Sequence, residues 1–414
     1  MIALALAVAV MVVLRIVMGD ALWTEGEGVY ALTARALLHG GDLYHVVIVA
    51  QPPGTVLVGA ASLAVDDSLH ALRDGMAALQ IVSGLLCGGI VWGLTRSRVA
   101  AVLTPALSLL TPWAVHENAT LIPETLAMPF LLGATMLCTR RRGSGPAGAL
   151  GAVAVFVKYP MLAPAAALLF AARSRRRYLL VGLLTLAAQI VLYSVLFGGA
   201  SIWRETVLDQ LEASGRSVHE LGGIAAQATW NSGLVVVLAV IGVLLRHRAV
   251  DEALMRAATA AGVLLTALTV AHAGTGLYVL ATVELACLPL AVSAVVWALA
   301  GAHRRTSVVV LSVCAAVLLW QSLSLLASPK DPRAFVRPGA RIAYSVNYTA
   351  AEVHALARTA SGCPQALAYS GTPFIAFVAG RRMPGDQPDD YITVHAKRLL
   401  NVRQAIDADQ PRCP

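Results

Sequence analysis

The sequence is poor in charged side chains. Asp, Glu, Lys and Arg make up 13% of its 414 residues, while hydrophobic residues make up 58%. Soluble domains carry about 25% charged and about 45–50% apolar residues. Apolar runs of roughly 20 residues, the length of a membrane-spanning helix, recur along most of the chain. The composition therefore excludes an ordinary soluble domain and predicts an all-α polytopic membrane protein.

Familiar soluble-enzyme motifs are also missing. The chain holds no P-loop, no GxSxG, no HExxH and no GxGxxG between a strand and a helix. The net charge is +8, but the positive residues lie in short groups between apolar runs and form no basic face. We therefore expect the lipid bilayer as a partner and no nucleic acid.

Cysteines are few and show no metal-binding spacing. Cys87, Cys138, Cys287 and Cys314 lie inside apolar runs, where cysteine behaves as a small buried hydrophobe. The other two bracket most of the polar C-terminal tail, and an oxidising exterior would permit a disulfide. We predict a bond between Cys363 and Cys413, with two unpaired thiols as the alternative.

Five basic groups fix the predicted orientation. Short loops rich in Lys and Arg stay on the cytoplasmic side of a membrane. These groups are Arg96–Arg98, Arg140–Arg142, Arg173–Arg177, Arg246–Arg248 and Arg304–Arg305. They predict a multi-pass protein of the cell membrane with a cytoplasmic N-terminus and an extracytoplasmic C-terminus.

About eleven spans follow from this orientation. Two short runs, 147–158 and 161–172, are separated by Lys158, Tyr159 and Pro160 and together go out and back. The remaining spans are predicted at 2–18, 73–95, 99–115, 124–139, 178–198, 231–245, 254–273, 278–300 and 307–327.

Residues 19–72 form the first external loop of the predicted transmembrane domain, which covers 1–327. The apolar run 54–65 is too short for a comfortable span, so we interpret it as an interfacial or re-entrant helix that begins near Pro52 and Pro53. Residues 27–38 predict a second, amphipathic helix.

The tail, 328–414, differs in composition from the rest of the chain. It carries charge, Pro and Gly, and two short β-like runs, ALAYS and PFIAFVAG. We predict a small extracytoplasmic α/β domain.

Charged residues near the external ends of the spans are the candidate site. An ionisable residue in a membrane usually marks a function or a pair. Acidic residues can activate an acceptor hydroxyl, and basic residues close to them can neutralise a phosphate leaving group. The candidates are Arg15, Asp20, Glu25, Glu27, Arg73, His116, Glu117, Glu124, Lys158, Arg204 and Glu284.

Several of these residues also have structural interpretations. Arg15 could snorkel to the interface, Glu124 could complement the N-terminus of its helix, and Asp20 could simply solvate a loop. No metal site is predicted; a divalent cation, Mg²⁺ or Mn²⁺, is the one cofactor left open, with adjacent His116 and Glu117 as a weak signal for it.

The first external loop resembles that of a known family. The string EGEGVYALTARALLHGGDLY, followed by QPPG, is similar to the pattern D-E-x-x-Y, A-x-x-L, G-G-x-x-Y, P-P of GT-C glycosyltransferases in the protein mannosyltransferase and aminoarabinose-transferase-like branch. Arg73, LIPETL before the fourth span, and GAVAVFVKYP extend the resemblance over about residues 10–200.

The resemblance implies an integral membrane glycosyltransferase. Such enzymes transfer a sugar from a polyprenyl-phosphate donor to an extracytoplasmic glycan, lipid or protein. A carboxylate of the first external loop acts as base or binds the acceptor, a second one assists, and basic residues hold the phosphate.

Carried over, the resemblance assigns residues to these roles. The base is Glu25 or Glu27, with Asp20 in reserve, and Glu124 assists. The family's usual aspartate falls on Gly26 when the pattern is aligned on Tyr30. Candidate phosphate-binding residues are Lys158, Arg204, Arg15 and Arg73, and further active-site candidates are Tyr30, His116, Glu117, Tyr159 and Glu284.

Two other functions stay open at this point. A secondary transporter has a similar number of spans and intramembrane charges, although such proteins usually show two similar halves, which this sequence lacks. A non-catalytic cell-envelope assembly protein of the same fold is the second alternative.

Overall fold

The computed structural model describes most of the N-terminal half and parts of the rest. The described residues are 1–208 except 22–24, 50, 118, 139 and 141; 232–244 except 243; 279–300; isolated positions from 309 to 321; 348–362; 372–383; and 387–388. The predicted spans 254–273 and, for the most part, 307–327 lie outside these residues, as do ALAYS, Cys363 and Cys413.

The described part is helical. It contains an isolated β-bridge between Leu43 and Val47. The helices are α1 Ile2–Met18, α2 Glu25–Leu38, α3 Pro53–Leu63, α4 Leu69–Thr95, α5 Arg98–Leu109, α6 Pro112–Glu117, α7 Pro123–Cys138, α8 Ser144–Val157, α9 Leu162–Ala171, α10 Arg175–Phe197, α11 Gly199–Trp203, α12 Ser232–Gly242, α13 Val279–Ala300, α14 Ala350–Ser361 and α15 Thr372–Val378.

Local sequence explains where many helices begin and end. The Ser68 hydroxyl accepts a hydrogen bond from the Ala71 amide at the start of α4, and Pro53 opens α3, where a missing amide hydrogen costs nothing. Gly198, with a φ of 77°, ends α10 in a conformation that favours glycine. Lys158 is extended just before Tyr159 and Pro160, so the chain breaks between α8 and α9 where proline forbids a continuous helix.

Within the described part of the chain, three helices are long and apolar enough to cross a membrane: Leu69–Thr95, Arg175–Phe197 and Thr282–Ala300. Shorter apolar helices match several other predicted spans in position, and α2 and α3 coincide with the two predicted helices of the first loop. Only 6% of the most apolar stretch of α10 is buried within the protein, as expected of a helix that faces lipid. The count of eleven spans stays a prediction.

One expectation for the tail is wrong. The run PFIAFVAG, which we interpreted as β-like, forms helix α15. Phe374, Ile375, Ala376 and Phe377 are all at most 5% exposed, so the run carries no alternation to distinguish a strand from a buried helix. Among the described residues of the tail there is no strand.

α15 packs directly on α2. A Cβ atom on Gly28 of α2 would lie 2.1 Å from the backbone nitrogen of Phe374. The guanidinium of Arg35 lies 3.8 Å from the ring centroid of Phe377 and donates to its carbonyl oxygen at 2.8 Å. The tail therefore forms part of the first-loop structure.

Gly28→Ala tests this contact. We expect a lower apparent melting temperature in detergent, because the new methyl group meets α15 backbone and overpacking costs about 1–3 kcal/mol. Gly93→Ala on α4 is the matched control, since nothing lies within 4 Å of a Cβ there. Equal melting of the two variants would contradict the close packing of α2 and α15.

Candidate functional site

A buried ion pair joins the first loop to α4. Arg73 donates to Glu27 Oε1 through Nε at 2.9 Å and to Oε2 through a terminal nitrogen at 2.6 Å. Its guanidinium also donates to the carbonyl oxygens of Gly19 and Ala21, at 2.8 and 2.9 Å. Glu27 and Arg73 are 0% and 1% exposed, so this bidentate pair is shielded from water and strongly directional.

The pairing limits what Glu27 and Arg73 are free to do. Both carboxylate oxygens of Glu27 accept from Arg73, and all three guanidinium nitrogens of Arg73 donate within the protein. A buried charge that loses its partner is costly. The geometry therefore favours a structural role for this pair over the base and phosphate-binding roles that the sequence predicts.

Glu124, Lys158 and Gln51, hereafter the Lys158 cluster, form a second buried polar group. Lys158 Nζ lies 3.2 Å from Glu124 Oε1 and donates to Gln51 Oε1 at 2.9 Å. Glu124 is 0% and Lys158 7% exposed. Among the described residues, neither carboxylate oxygen of Glu124 has a hydrogen-bond partner. Oε1 makes the ion-pair contact with Lys158, and Oε2 is a buried carboxylate oxygen able to accept a hydrogen bond.

The three residues of the Lys158 cluster each lie at or next to the end of a helix. Lys158 follows the end of α8, Glu124 lies in the first turn of α7, and Gln51 directly precedes Pro52 and α3.

The start of α3 is packed on the end of α8. Thr55 donates to the carbonyl oxygen of Val157 at 2.7 Å, and a Cβ on Gly54 would lie 2.5 Å from the carbonyl oxygen of Phe156. The second proline of the QPPG string and its glycine thus set Gln51 beside Lys158.

The segment 39–52, hereafter the site loop, is held by hydrogen bonds along its length. Tyr44 donates to the carbonyl oxygen of Gln51 at 2.8 Å, and burial raises the pKa of its phenol well above the usual value, so it stays a donor. Glu205 Oε2 accepts from the Val49 amide at 2.8 Å. Gln387 accepts from the Ile48 amide at 3.0 Å and donates to the Val46 carbonyl at 2.7 Å.

Backbone strain is found in the site loop, which leads to Gln51, and in the segment before α7, which leads to Glu124. Tyr44 and Ala119 have φ values of 65° and 60°, a region that non-glycine residues rarely adopt. The Ala119 amide donates to Gln80 Oε1 at 3.3 Å. Such outliers persist only where surrounding structure fixes them, and they concentrate at functional sites.

Aromatic rings line the structure beside Lys158. Phe156 packs against Tyr159 and Tyr193, with ring centroids 6.1 and 5.3 Å apart, and Phe197 bridges Tyr193 to Tyr44. The Tyr159 hydroxyl accepts from Thr206 at 3.3 Å.

Asp20 and Arg15 lie apart from the Lys158 cluster in their contacts. Asp20 pairs with His354 of α14, Oδ2 to Nε2 3.0 Å, and lies 3.9 Å from His70 Nδ1. Arg15 lies 3.7 Å from the exposed carboxylate of Asp74. Tyr30 is buried in α2.

Glu284 belongs to a third buried group. It accepts from the Trp113 amide and from the Ser232 hydroxyl, both at 3.1 Å, and so joins α13 to α6 and α12. Arg204 is exposed at the start of the π-helical turn Arg204–Leu208. Of the predicted site residues that the structure describes, Glu124 therefore lies with Lys158, with Tyr159 beside them, and Glu27 lies with Arg73, with Arg15 and Asp20 close by.

Some candidates lie outside the described structure. Nothing is described for the side chains of Glu25, His116 and Glu117. Among the residues that are described, no group of three His, Cys, Asp or Glu side chains has an arrangement suited to a metal ion.

Sequence reasoning missed Gln51, Tyr44, Glu205 and Gln387. Gln51 and Tyr44 lie inside the motif strings that carried the resemblance, so a polar residue before the proline pair was an available signal. Glu205 directly follows Arg204, which was itself a candidate site residue because of its charge. Gln387 has no local signal, because its partners lie about 340 residues away in sequence.

Glu27→Gln and Arg73→Met test the structural interpretation of the first ion pair. Removing one member of a buried pair costs about 3–5 kcal/mol, so each single variant should melt at a markedly lower temperature, and the double variant should recover part of the loss. Asp74→Asn, at a carboxylate 72% exposed, should change stability by less than about 1 kcal/mol. Single variants that melt like the wild type would contradict a structural role.

No protein-family model matches the sequence, and no curated protein matches it. Solved structures do. ArnT from Cupriavidus metallidurans bound to undecaprenyl phosphate superposes with a TM-score of 0.60 at 13% identity, over 91% of this chain and 84% of that one. The apo state of the same enzyme gives 0.60 at 14% identity, over 96% and 88%. The chain therefore has the fold of ArnT.

Proposed function

We propose that this protein is a membrane glycosyltransferase that takes a sugar from a polyprenyl-phosphate donor. The observation that carries the proposal is the buried Lys158 cluster, in which a cation and a carboxylate lie 3.2 Å apart at the meeting point of α3, α7 and α8. The ArnT-like fold supports the class, since one ArnT structure is bound to undecaprenyl phosphate.

Lys158 is the residue we assign to the donor phosphate. Its ammonium group carries three donors, and the contacts to Glu124 and Gln51 leave one for a ligand oxygen. A charge-assisted hydrogen bond in a dry site stabilises the negative charge that develops on the leaving phosphate. Arg204, which is exposed and directly precedes Glu205, is the second candidate for binding the phosphate.

Glu124 is the residue we assign as general base. The acceptor oxygen attacks the anomeric carbon, the bond from that carbon to the phosphate oxygen breaks, and the acceptor proton moves to Glu124 Oε2. Polyprenyl phosphate then leaves with both electrons of the broken bond. Glu25 of the first loop stays an alternative base, and a divalent cation, Mg²⁺ or Mn²⁺, stays open as a cofactor.

The sugar and the acceptor are proposed only as classes. The donor is a hexosyl or pentosyl polyprenyl phosphate, and the acceptor is an extracytoplasmic glycan, lipid or protein. We propose multi-pass insertion with about eleven spans, a cytoplasmic N-terminus and an extracytoplasmic C-terminus, which puts the first loop on the side of the acceptor.

A non-catalytic envelope-assembly role is the second candidate. It is favoured by Gly26, which occupies the position where the resembling family usually has aspartate. The two functions differ in turnover, because only a transferase consumes the sugar of a polyprenyl-phosphate donor.

Lys158→Met and Glu124→Gln separate the two assigned roles. Lys158→Met should weaken binding of undecaprenyl phosphate about tenfold to hundredfold, the loss of one charged hydrogen bond. Glu124→Gln should bind the lipid but lower the rate of sugar transfer about 10²- to 10⁴-fold, the usual contribution of a general base. Lipid binding and transfer from polyprenyl-phosphate sugars are measured on the purified proteins.

Glu284→Gln is the matched control, because it makes the same substitution at another fully buried carboxylate. It should retain far more transfer activity than Glu124→Gln at comparable melting temperatures. Equal loss in both variants would contradict the assignment of Glu124, and undiminished lipid binding by Lys158→Met would contradict that of Lys158.

Reporter fusions test the proposed orientation. A reporter that is active only in the cytoplasm should be active when joined after Arg142 and inactive at the C-terminus. The reason is that an odd number of predicted spans separates Arg142 from the C-terminus. Activity at both positions would contradict the orientation.

A further inference from the structure

The site loop is held by a side chain from the other end of the protein. The amide group of Gln387 accepts from the Ile48 amide and donates to the Val46 carbonyl, at 3.0 and 2.7 Å. It thereby pairs with backbone as a neighbouring strand would. Gln387 is 6% and Ile48 5% exposed, so an Ile48 amide without this partner would be buried and unsatisfied, which is costly.

The paired backbone lies three residues from the Lys158 cluster. Val49 follows with its amide bonded to Glu205, and Gln51 then contacts Lys158 through its side chain and Tyr44 through its carbonyl. Displacement of residues 46–48 would therefore move the side-chain amide of Gln51, which fixes Lys158 Nζ.

The segment that leads to Gln387 is attached to the first loop at several points. α15, which precedes it, packs on α2 through Phe374 and Gly28 and through Phe377 and Arg35. The Arg381 amide then donates to the Ala376 carbonyl at 2.7 Å and turns the chain back at the end of α15. Met383, between this turn and Gln387, is 4% exposed.

We propose that Gln387 is a positioning residue, through which the C-terminal tail holds the site loop so that Gln51 sets Lys158 for a lipid phosphate. The proposal rests on the proposed function for its final step only. Glutamine is suited to the task because it both accepts and donates, whereas a carboxylate would accept from Ile48 but repel the Val46 carbonyl.

The experiment compares Gln387→Ala, Gln387→Glu and Arg358→Ala in the full-length protein. Hydrogen exchange followed by mass spectrometry reports the amides of 46–49, and a binding titration reports the affinity for undecaprenyl phosphate in detergent. Arg358 is exposed on α14 of the same tail and serves as the control.

Gln387→Ala should raise the exchange rate of the 46–49 peptide and weaken lipid binding, each about tenfold, the loss of one hydrogen bond to a buried amide. Gln387→Glu, which keeps the acceptor for Ile48 but sets a carboxylate against the Val46 carbonyl, should recover only part of both losses. Arg358→Ala should leave both at wild-type values.

Unchanged exchange in Gln387→Ala would overturn the positioning role whatever reaction the protein performs. Faster exchange with undiminished lipid affinity, in a protein whose Lys158→Met variant loses affinity, would overturn the link from Gln387 to Lys158. If Lys158→Met itself binds the lipid normally, the phosphate assignment fails, and the exchange result alone decides whether Gln387 holds the loop.

Discussion

The buried pair of Glu27 and Arg73 is the constraint on which the first loop depends. It connects α2 to α4, and through the Gly19 and Ala21 carbonyls it also ties down the end of α1. A charge in a low-dielectric interior is tolerated only with a well-placed opposite charge and further hydrogen bonds. Once this pair is made, the chain after α1 has little freedom, and α2 presents the face on which α15 packs.

A second pair, Glu124 and Lys158, differs from the first in one respect. Every polar atom of the first pair is used within the protein, whereas Glu124 Oε2 has no partner among the described residues. A fully satisfied pair contributes to structure, and a pair with a vacant acceptor is prepared for a hydrogen-bond donor such as a hydroxyl group. This difference is why the proposed chemistry is assigned to Glu124 and not to Glu27.

Much of the N-terminal half follows from the sequence. Hydrophobic length and the break at Lys158, Tyr159 and Pro160 predict α8 and α9 as separate helices, and the proline pair predicts the start of α3. These features are local, and local signals are what a sequence displays. The resemblance of the first loop also predicts an aminoarabinose-transferase-like fold, and the superposition shows that the chain has the fold of ArnT.

The tail was predicted less well, for physical reasons. α15 is buried on all sides, so its apolar run has neither the helical nor the strand period, although Pro373 near its start and Gly380 after its end are helix-boundary signals. The identity of the charged partners is a property of tertiary structure. Nothing near Glu27 in sequence distinguishes a carboxylate that pairs with Arg73 from one that performs catalysis.

The central claim is that Lys158 holds the phosphate of a lipid donor. An experimental structure with undecaprenyl phosphate bound tests it most directly, through the distance from Lys158 Nζ to the phosphate. We predict a phosphate oxygen within about 3 Å of Nζ, the usual length of a charged hydrogen bond, with Gln51 still beside the ammonium group. A phosphate bound elsewhere, with Lys158 contacting only Glu124 and Gln51, would contradict the account.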